Sequence, residues 1–242
     1  MLLKRSDSDE MKERLLNFEN AVIVMEDVND DKSTKFTSAL NFISVMTNEE
    51  KAGLLNMNPM NVTEEVTKRA SSVPARVRRQ TPASVDWLAR GAQVPVKNQG
   101  GCGSCWAFGA VSALEGRYFA LTGDLIAFSE QEYLDCTMEH FYEKHGSSWA
   151  ENHSGCSGGW MHWAYDYSKD TKRMASMADF PYVAADNVCN MASKANAMVK
   201  ADVTGVTWYK GTDAKLAEGV AQGVVTVALL VVDTFQSYRE GW

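Results

Sequence analysis

A short glycine-rich segment, residues 99–108 with the sequence QGGCGSCWAF, constrains the fold of this chain more than any other feature. Its three glycines let the backbone turn tightly, because no Cβ blocks the unusual dihedral angles. Apolar residues recur at helical spacing after Cys105, so we expect this cysteine in the first turn of a helix. The free N–H groups and the dipole of a helix start favour an anion, and this position is expected to lower the thiol pKa. The Gln99 amide can donate to the oxyanion of an attacked carbonyl, so the segment predicts a nucleophile with its oxyanion donor.

The Cys-x-x-Cys spacing of Cys102 and Cys105 also fits two other kinds of site. It occurs in thioredoxin-like redox motifs and as half of a zinc site. A zinc site needs a second closely spaced pair, whereas Cys136, Cys156 and Cys189 stand alone. A redox motif needs a βαβ pattern, which the surrounding sequence lacks. The nucleophile is therefore the favoured interpretation, and neither a metal nor another cofactor is expected.

Composition and net charge argue against some classes of binding partner. The chain has 242 residues, 45% of them hydrophobic, which suffices for one or two packed units. The net charge of −7 argues against nucleic acid and anionic membrane as partners. The apolar run at residues 224–232 is too short to span a bilayer and predicts a buried strand. We expect a monomer.

Five segments carry a resemblance to a known family. The CGSCW sequence of Cys102–Trp106 is the local signature of the papain and cathepsin cysteine. Pro82–Trp87, Pro95–Gly100, Phe128–Cys136 and Cys156–Gly159 resemble segments of mature cathepsin-L-like enzymes, in the same order. The resemblance implies an α+β, papain-like two-domain fold, with a helical left domain and a partial β-barrel right domain. It also implies a cysteine endopeptidase.

The resemblance assigns roles to the residues around the cysteine. Cys105 would attack the peptide carbonyl, while Gln99 and the Cys105 N–H would hold the oxyanion. Large apolar groups would line the pocket for the second residue before the scissile bond. The residues implied to bind substrate are Gly158, Gly159, Trp160, Met161 and Ala228.

The resemblance further implies two disulfides, Cys102 with Cys156 and Cys136 with Cys189. The odd fifth cysteine, Cys105, would remain a free thiol. Disulfides indicate an oxidising compartment, so we expect a lysosomal, endosomal or secreted protein. The first residues lack the apolar core of a signal peptide, and we expect the N-terminus to be incomplete.

Residues 1–60 resemble an inhibitory propeptide, followed by a linker at 61–80 and a peptidase domain at 81–242. An amphipathic helix is predicted over residues 9–28, and its spacing resembles the interspersed Glu-Arg-Phe-Asn-Ile-Asn pattern of cathepsin-L-type propeptides. Such a propeptide would act as an intramolecular inhibitor. The basic run before Gln80 predicts processing after Arg79, with a solvated basic linker as the alternative.

The residue that would transfer a proton in the reaction of Cys105 is not identified by these motifs. In this family a histidine, oriented by an asparagine, lies about 130–150 residues beyond the cysteine. No histidine follows His162, which we interpret as structural or as part of the pocket rim. We therefore expect the C-terminal part to be missing and the 242-residue chain to be inactive. The insert at residues 137–155 is expected to be an exposed loop.

A second function class stays open. A non-catalytic papain-like protein could use its propeptide helix or its substrate cleft as a binding or protease-inhibitor module. The presence of both Cys105 and Gln99 favours the peptidase.

Overall fold

The structure, a computed structural model, describes residues 7–55, 81–145, 155–190, 198–209, 212–229 and 231–241. Its helices are α1 (Asp7–Asp30), α2 (Asn48–Leu54), α3 (Cys105–Thr122), α4 (Glu130–His145), α5 (Met161–Thr171), α6 (Asp213–Val220) and α7 (Asp233–Gln236). Its strands are β1 (Phe36–Ser38), β2 (Arg173–Ala175), β3 (Met198–Lys200) and β4 (Tyr238–Gly241). Single 3₁₀ turns cover Phe42–Val45 and Gly155–Ser157. The mixture of helices and short sheets confirms the α+β class.

The chain divides into two compact units. The first contains the described residues of Met1–Leu55 and Ala228–Trp242, and the second those of Asn56–Val227. The C-terminal residues therefore cluster with the segment predicted as propeptide. The predicted linker, including Arg79 and Gln80, lies outside the described residues.

Polar side chains hold the first unit together. Arg14 forms an ion pair with Glu10 at 2.8 Å, as its position four residues later on the helix predicts, and a second with Glu50 at 2.7 Å. The Asn29 amide exchanges two hydrogen bonds with the backbone of Ser38. These contacts fix β1 and α2 against α1.

Strand β1 pairs antiparallel with β4 within the first unit. Phe36 lies opposite Gly241 and Ser38 lies opposite Tyr238, with an irregular register between them. The Asn41 amide extends the pairing by donating to the Gln236 carbonyl at 2.8 Å. Residues predicted as propeptide thus bind residues predicted as peptidase domain.

A buried aromatic and aliphatic core fills the second unit. Helices α3, α4 and α5 pack on one another, and β2 pairs antiparallel with β3 beside them. The core includes Ala107, Val111, Phe128, Tyr133, Trp163 and Met174. This helical core carries the predicted nucleophile at one helix start.

Local signals predicted several elements correctly. The predicted helix at residues 9–28 is α1, which runs two residues further at each end. Thr47 and Glu50 form the reciprocal capping box that opens α2.

Two expectations differ from the structure. Helix α4 continues to His145 and so occupies the first half of the predicted 137–155 loop, because Phe141 packs into the core and Lys144 pairs with Asp170 of α5. No strand forms at residues 224–229 or 231–232, and Val227 and Leu229 are exposed. An apolar run becomes a strand only where a neighbouring strand can take its hydrogen bonds. Over the described residues, the β structure consists of two two-stranded sheets and an isolated bridge between Phe128 and Ser176.

Candidate active site

Cys105 is the first residue of α3, as the sequence predicts. All five cysteines lie within the described residues. Both implied disulfides, Cys102–Cys156 and Cys136–Cys189, are present, and Cys105 is the free thiol. Its side chain is partly buried, so it is neither sealed in the core nor fully solvated.

The predicted lowering of the Cys105 pKa is wrong for the described residues. Burial raises the pKa of the thiol, because it disfavours the charged form. Backbone hydrogen bonds from Trp106 and from Cys105 itself act in the opposite direction and do not outweigh the burial. The helix start therefore offers the thiolate two donors, but burial has the larger effect on the pKa.

The Gln99 side chain points into the turn that leads to the nucleophile. Its Nε2 donates to the Cys102 carbonyl at 2.9 Å, which engages one of the two N–H groups of the amide. The Gly103 N–H donates to the Cys156 carbonyl at 2.7 Å, so a hydrogen bond and a disulfide fix the same turn. Gln99 and Cys105 are thus held at the two ends of a rigid segment.

The predicted substrate glycines lie against the start of α3. Gly158 is buried with φ at +116°, a backbone conformation that suits glycine. A Cβ at Gly159 would approach the Trp106 ring to 2.5 Å, so only glycine fits there. The Trp106 indole donates to the Gly155 carbonyl at 3.1 Å and fixes this contact. The glycine segment is therefore positioned by the residue that follows the nucleophile.

Met161, the first residue of α5, lies beside Gly109, which is one helical turn after Cys105 in α3. A Cβ on Gly109 would lie 3.8 Å from Met161 Cγ and 3.0 Å from Thr226 Cγ2. Residues four apart share a face of a helix, so Gly109 lies on the same face of α3 as Cys105. Trp160 is the partly exposed N-cap residue of α5. Ala228 belongs to the other compact unit.

A buried ion cluster supports the start of the segment. Lys97, two residues before Gln99, lies 2.8 Å from Glu115 of α3 and 2.5 Å from Glu130 of α4. Burial raises the pKa of both carboxyl groups, while the Lys97 ammonium opposes that shift. The cluster ties the glycine-rich segment to two core helices.

The side chains of two histidines, His140 and His162, lie within the described residues. His162 is buried, and its ring centroid lies 5.3 Å from that of Trp163 and 5.6 Å from that of Trp208. This agrees with the structural role predicted for it. His140 pairs with Asp170 at 3.0 Å on α4 and α5. The described residues also contain no group of three His, Cys, Asp or Glu residues that could hold a metal.

Sequence reasoning missed Tyr182, which contacts the predicted segment. The Tyr182 hydroxyl lies 2.7 Å from the Gln99 carbonyl and 2.6 Å from Ser104 Oγ. The tyrosine is 78 residues from Ser104 along the chain, and no periodicity links the two. Only the folded chain brings them together.

Comparison with known proteins identifies the family. Residues 81–242 match the family described as papain family cysteine protease. Ananain of Ananas comosus is 32% identical over 97% of this chain, and cathepsin L2 of Homo sapiens is 34% identical over 85% of it. This chain spans 63% of ananain and 57% of cathepsin L2.

Solved proenzyme structures have the same fold. Digestive procathepsin L 3 of Tenebrio molitor superposes with a TM-score of 0.76 at 28% identity, covering 99% of this chain and 73% of that one. The proform of the ragweed pollen allergen Amb a 11 superposes with a TM-score of 0.69 at 29% identity, covering 99% of this chain and 63% of that one. With its free Cys105 and papain-like proenzyme fold, the chain belongs to the papain family of cysteine proteases.

Proposed function

We propose that this chain is the zymogen of a cysteine endopeptidase, with Cys105 as nucleophile. The observation that carries the proposal is the position of Cys105. It is the only one of the five cysteines outside a disulfide, and it starts α3 within a turn that Gln99 braces. A purely structural cysteine needs neither the helix start nor the neighbouring amide.

The proposed chemistry begins with attack of the Cys105 sulfur on a peptide carbonyl. The new C–S bond places negative charge on the carbonyl oxygen, which accepts from the second Gln99 N–H and the Cys105 N–H. Breaking the C–N bond requires a proton for the departing amine. We propose that a histidine supplies this proton.

The proposed substrate is a peptide with an apolar residue two positions before the scissile bond. Gly158 and Gly159 would pair with its extended backbone, because they offer peptide groups without side chains in the way. Trp160 and Met161 would contact its apolar side chain. Large apolar surfaces favour such a side chain.

We also propose that residues 1–60 inhibit the peptidase within the same chain, until cleavage between Arg79 and Gln80 releases them. The pairing of β1 with β4 supports this, because it binds the predicted propeptide to residues 238–241. The two proenzyme neighbours favour the same arrangement. Two disulfides favour an oxidising compartment, in which a lysosomal or secreted protease would work.

Site-specific labelling tests the proposal. A peptidyl chloromethyl ketone with an apolar second residue alkylates a positioned thiol, forming a C–S bond and releasing chloride and the thiol proton. We expect one adduct, mapped by mass spectrometry to Cys105, with the L-peptide reagent reacting about tenfold faster than its D-isomer if a peptide site adjoins the thiol.

The Cys105→Ser variant is the control and should form no adduct. Equal rates for the L- and D-reagents would contradict a peptide site beside Cys105. Saturable binding of the L-peptide without any adduct would favour the alternative function, a non-catalytic binding or inhibitor module.

A further inference from the structure

One side chain from a distant loop connects the two halves of the proposed catalytic turn. Tyr182 Oη lies 2.7 Å from the Gln99 carbonyl oxygen and 2.6 Å from Ser104 Oγ. Ser104 directly precedes the nucleophile and is fully buried. The Tyr182 ring packs edge-on against Phe108, one turn into α3, with a centroid distance of 4.9 Å. The tyrosine thus contacts the segment before and after the cysteine.

The direction of these hydrogen bonds follows from the groups involved. A carbonyl oxygen only accepts, so the Tyr182 hydroxyl donates to Gln99. The bond between Ser104 and Tyr182 must then use the serine proton. Ser104 Oγ also lies 3.4 Å from the Cys102 carbonyl, a much longer contact. The result is one oriented chain from Ser104 through Tyr182 to Gln99.

The tyrosine is itself held in place. Ser129 Oγ donates to the Phe180 carbonyl at 2.6 Å, and Gln131 Oε1 accepts from the Val183 N–H at 2.9 Å. Both supporting side chains are buried at the start of α4. The backbone on each side of Tyr182 is therefore fixed to a core helix, which lets its hydroxyl act as a rigid support.

We propose that Tyr182 is a positioning residue of the active site, whose hydroxyl fixes the oxyanion donor Gln99 relative to the nucleophile segment at Ser104 and Cys105. This inference rests on the proposed function of those residues. Tyr182 acts through Gln99, so its loss should weaken interactions with an oxyanion-like group and leave simple reactions of the thiol unchanged.

Binding of a peptidyl aldehyde separates these effects. The Cys105 thiol adds across the aldehyde carbonyl, forming a C–S bond while the thiol proton passes to the oxygen. The resulting hemithioacetal oxygen occupies the position of the oxyanion. Alkylation by iodoacetamide forms a C–S bond, releases iodide and the thiol proton, and develops no negative charge on an oxygen. We expect Tyr182→Phe to weaken aldehyde binding about tenfold, less than the loss of a complete oxyanion donor, while the iodoacetamide rate at Cys105 stays within about twofold.

A double-mutant cycle with Gln99→Ala gives the decisive readout. If Tyr182 works through Gln99, Tyr182→Phe should change aldehyde affinity by less than about twofold once the amide is gone. Tyr133→Phe is the matched control, because its hydroxyl also lies 2.6 Å from a serine, Ser168, in the same core. That variant should leave aldehyde binding unchanged, and circular dichroism should show that all variants are folded.

Each outcome has a distinct meaning. Equal aldehyde affinity for the wild type and Tyr182→Phe overturns the positioning role and leaves the proposed function standing. Independent effects of Tyr182→Phe and Gln99→Ala overturn it as well. Failure of the wild type to form the hemithioacetal contradicts the proposed function, and this inference with it.

Discussion

The two compact units of this chain are stabilised by different chemistry. In the first, ion pairs and amide–backbone hydrogen bonds connect the elements, while Met11, Leu15 and Ile23 of α1 are each more than half exposed. In the second, one disulfide joins two turns and the other joins α4 to the loop at Cys189, around a buried core. Reduction should therefore act on the second unit alone, because both disulfides lie there.

Acid should act on the two units with opposite sign. Hydrogen bonds from Arg14, and to a smaller extent from the Thr47 N–H, lower the pKa of Glu50. The ionised Glu50 therefore stabilises the first unit above the pKa of the unfolded chain, and this stabilisation is lost as the pH falls. Burial raises the pKa of Glu132 in the second unit to about 7. That unit therefore gains stability as the pH falls from above 7 towards 4.5. Acidification should loosen the proposed propeptide unit and tighten the catalytic one.

The largest effect is expected from the second disulfide. Replacing Cys136 and Cys189 together by Ala removes a cross-link between residues 53 positions apart. The expected loss is about 4 kcal/mol in the free energy of unfolding, since the unfolded chain regains the entropy of a closed loop. Segment-resolved hydrogen exchange should place the loss in residues 98–190, with residues 7–55 unchanged. An equal loss of stability in both units would contradict the claim that only the second unit depends on this disulfide.

Glu132→Gln should have the next largest effect, and it should be stabilising. The Glu132 carboxylate accepts from Tyr167 Oη at 3.0 Å and from the Ala175 N–H at 2.6 Å. Glutamine mimics the protonated acid, because its oxygen can accept from Ala175 while its amide donates to Tyr167. A pKa shift from 4.5 to about 7 corresponds to roughly 3 kcal/mol, so the variant should gain up to that amount at pH 8.

The control for this variant is its behaviour in acid. At pH 4, where the wild-type carboxyl group is protonated, Glu132→Gln and the wild type should unfold at the same denaturant concentration. A variant less stable than the wild type at pH 8 would show that the buried carboxylate is a net stabilising group.

The smallest effect is expected from Glu50→Gln in the first unit. Both carboxylate oxygens of Glu50 accept from Arg14, and glutamine can supply only one acceptor. The variant should show faster hydrogen exchange in residues 7–55 at pH 7 and a weaker dependence of that exchange on acid. Glu49→Gln, on the same turn of α2, is the matched control. If Glu50→Gln leaves the acid sensitivity of exchange unchanged, the ion pair with Arg14 does not cause the acid sensitivity of the first unit.

Local patterns in the sequence predicted what depends on neighbouring residues. The spacing after Cys105 gave the start of α3, and Thr47 with Glu50 gave the capping box of α2. The cysteine pairing followed from family resemblance, because five cysteines by themselves leave it open.

Features that depend on distant contacts could not be predicted. Packing of Phe141 in the core extends α4, and no local signal marks that contact. The chain-distant Tyr182 joins the site only after folding. The predicted direction of the Cys105 pKa shift is wrong, because burial outweighs the effect of the helix start. The burial of the thiol depends on contacts with distant residues, which the local sequence does not show.

Acylation by an activated ester tests the central claim, that Cys105 is a peptidase nucleophile, most directly. A peptidyl nitrophenyl ester loses a stable phenolate that needs no proton, so a thioester can form at Cys105 without a histidine. We predict a burst of about one nitrophenolate per chain, lost in Cys105→Ser, with the acyl group mapped to Cys105. Absence of a burst, or a burst that survives in Cys105→Ser, would contradict the account.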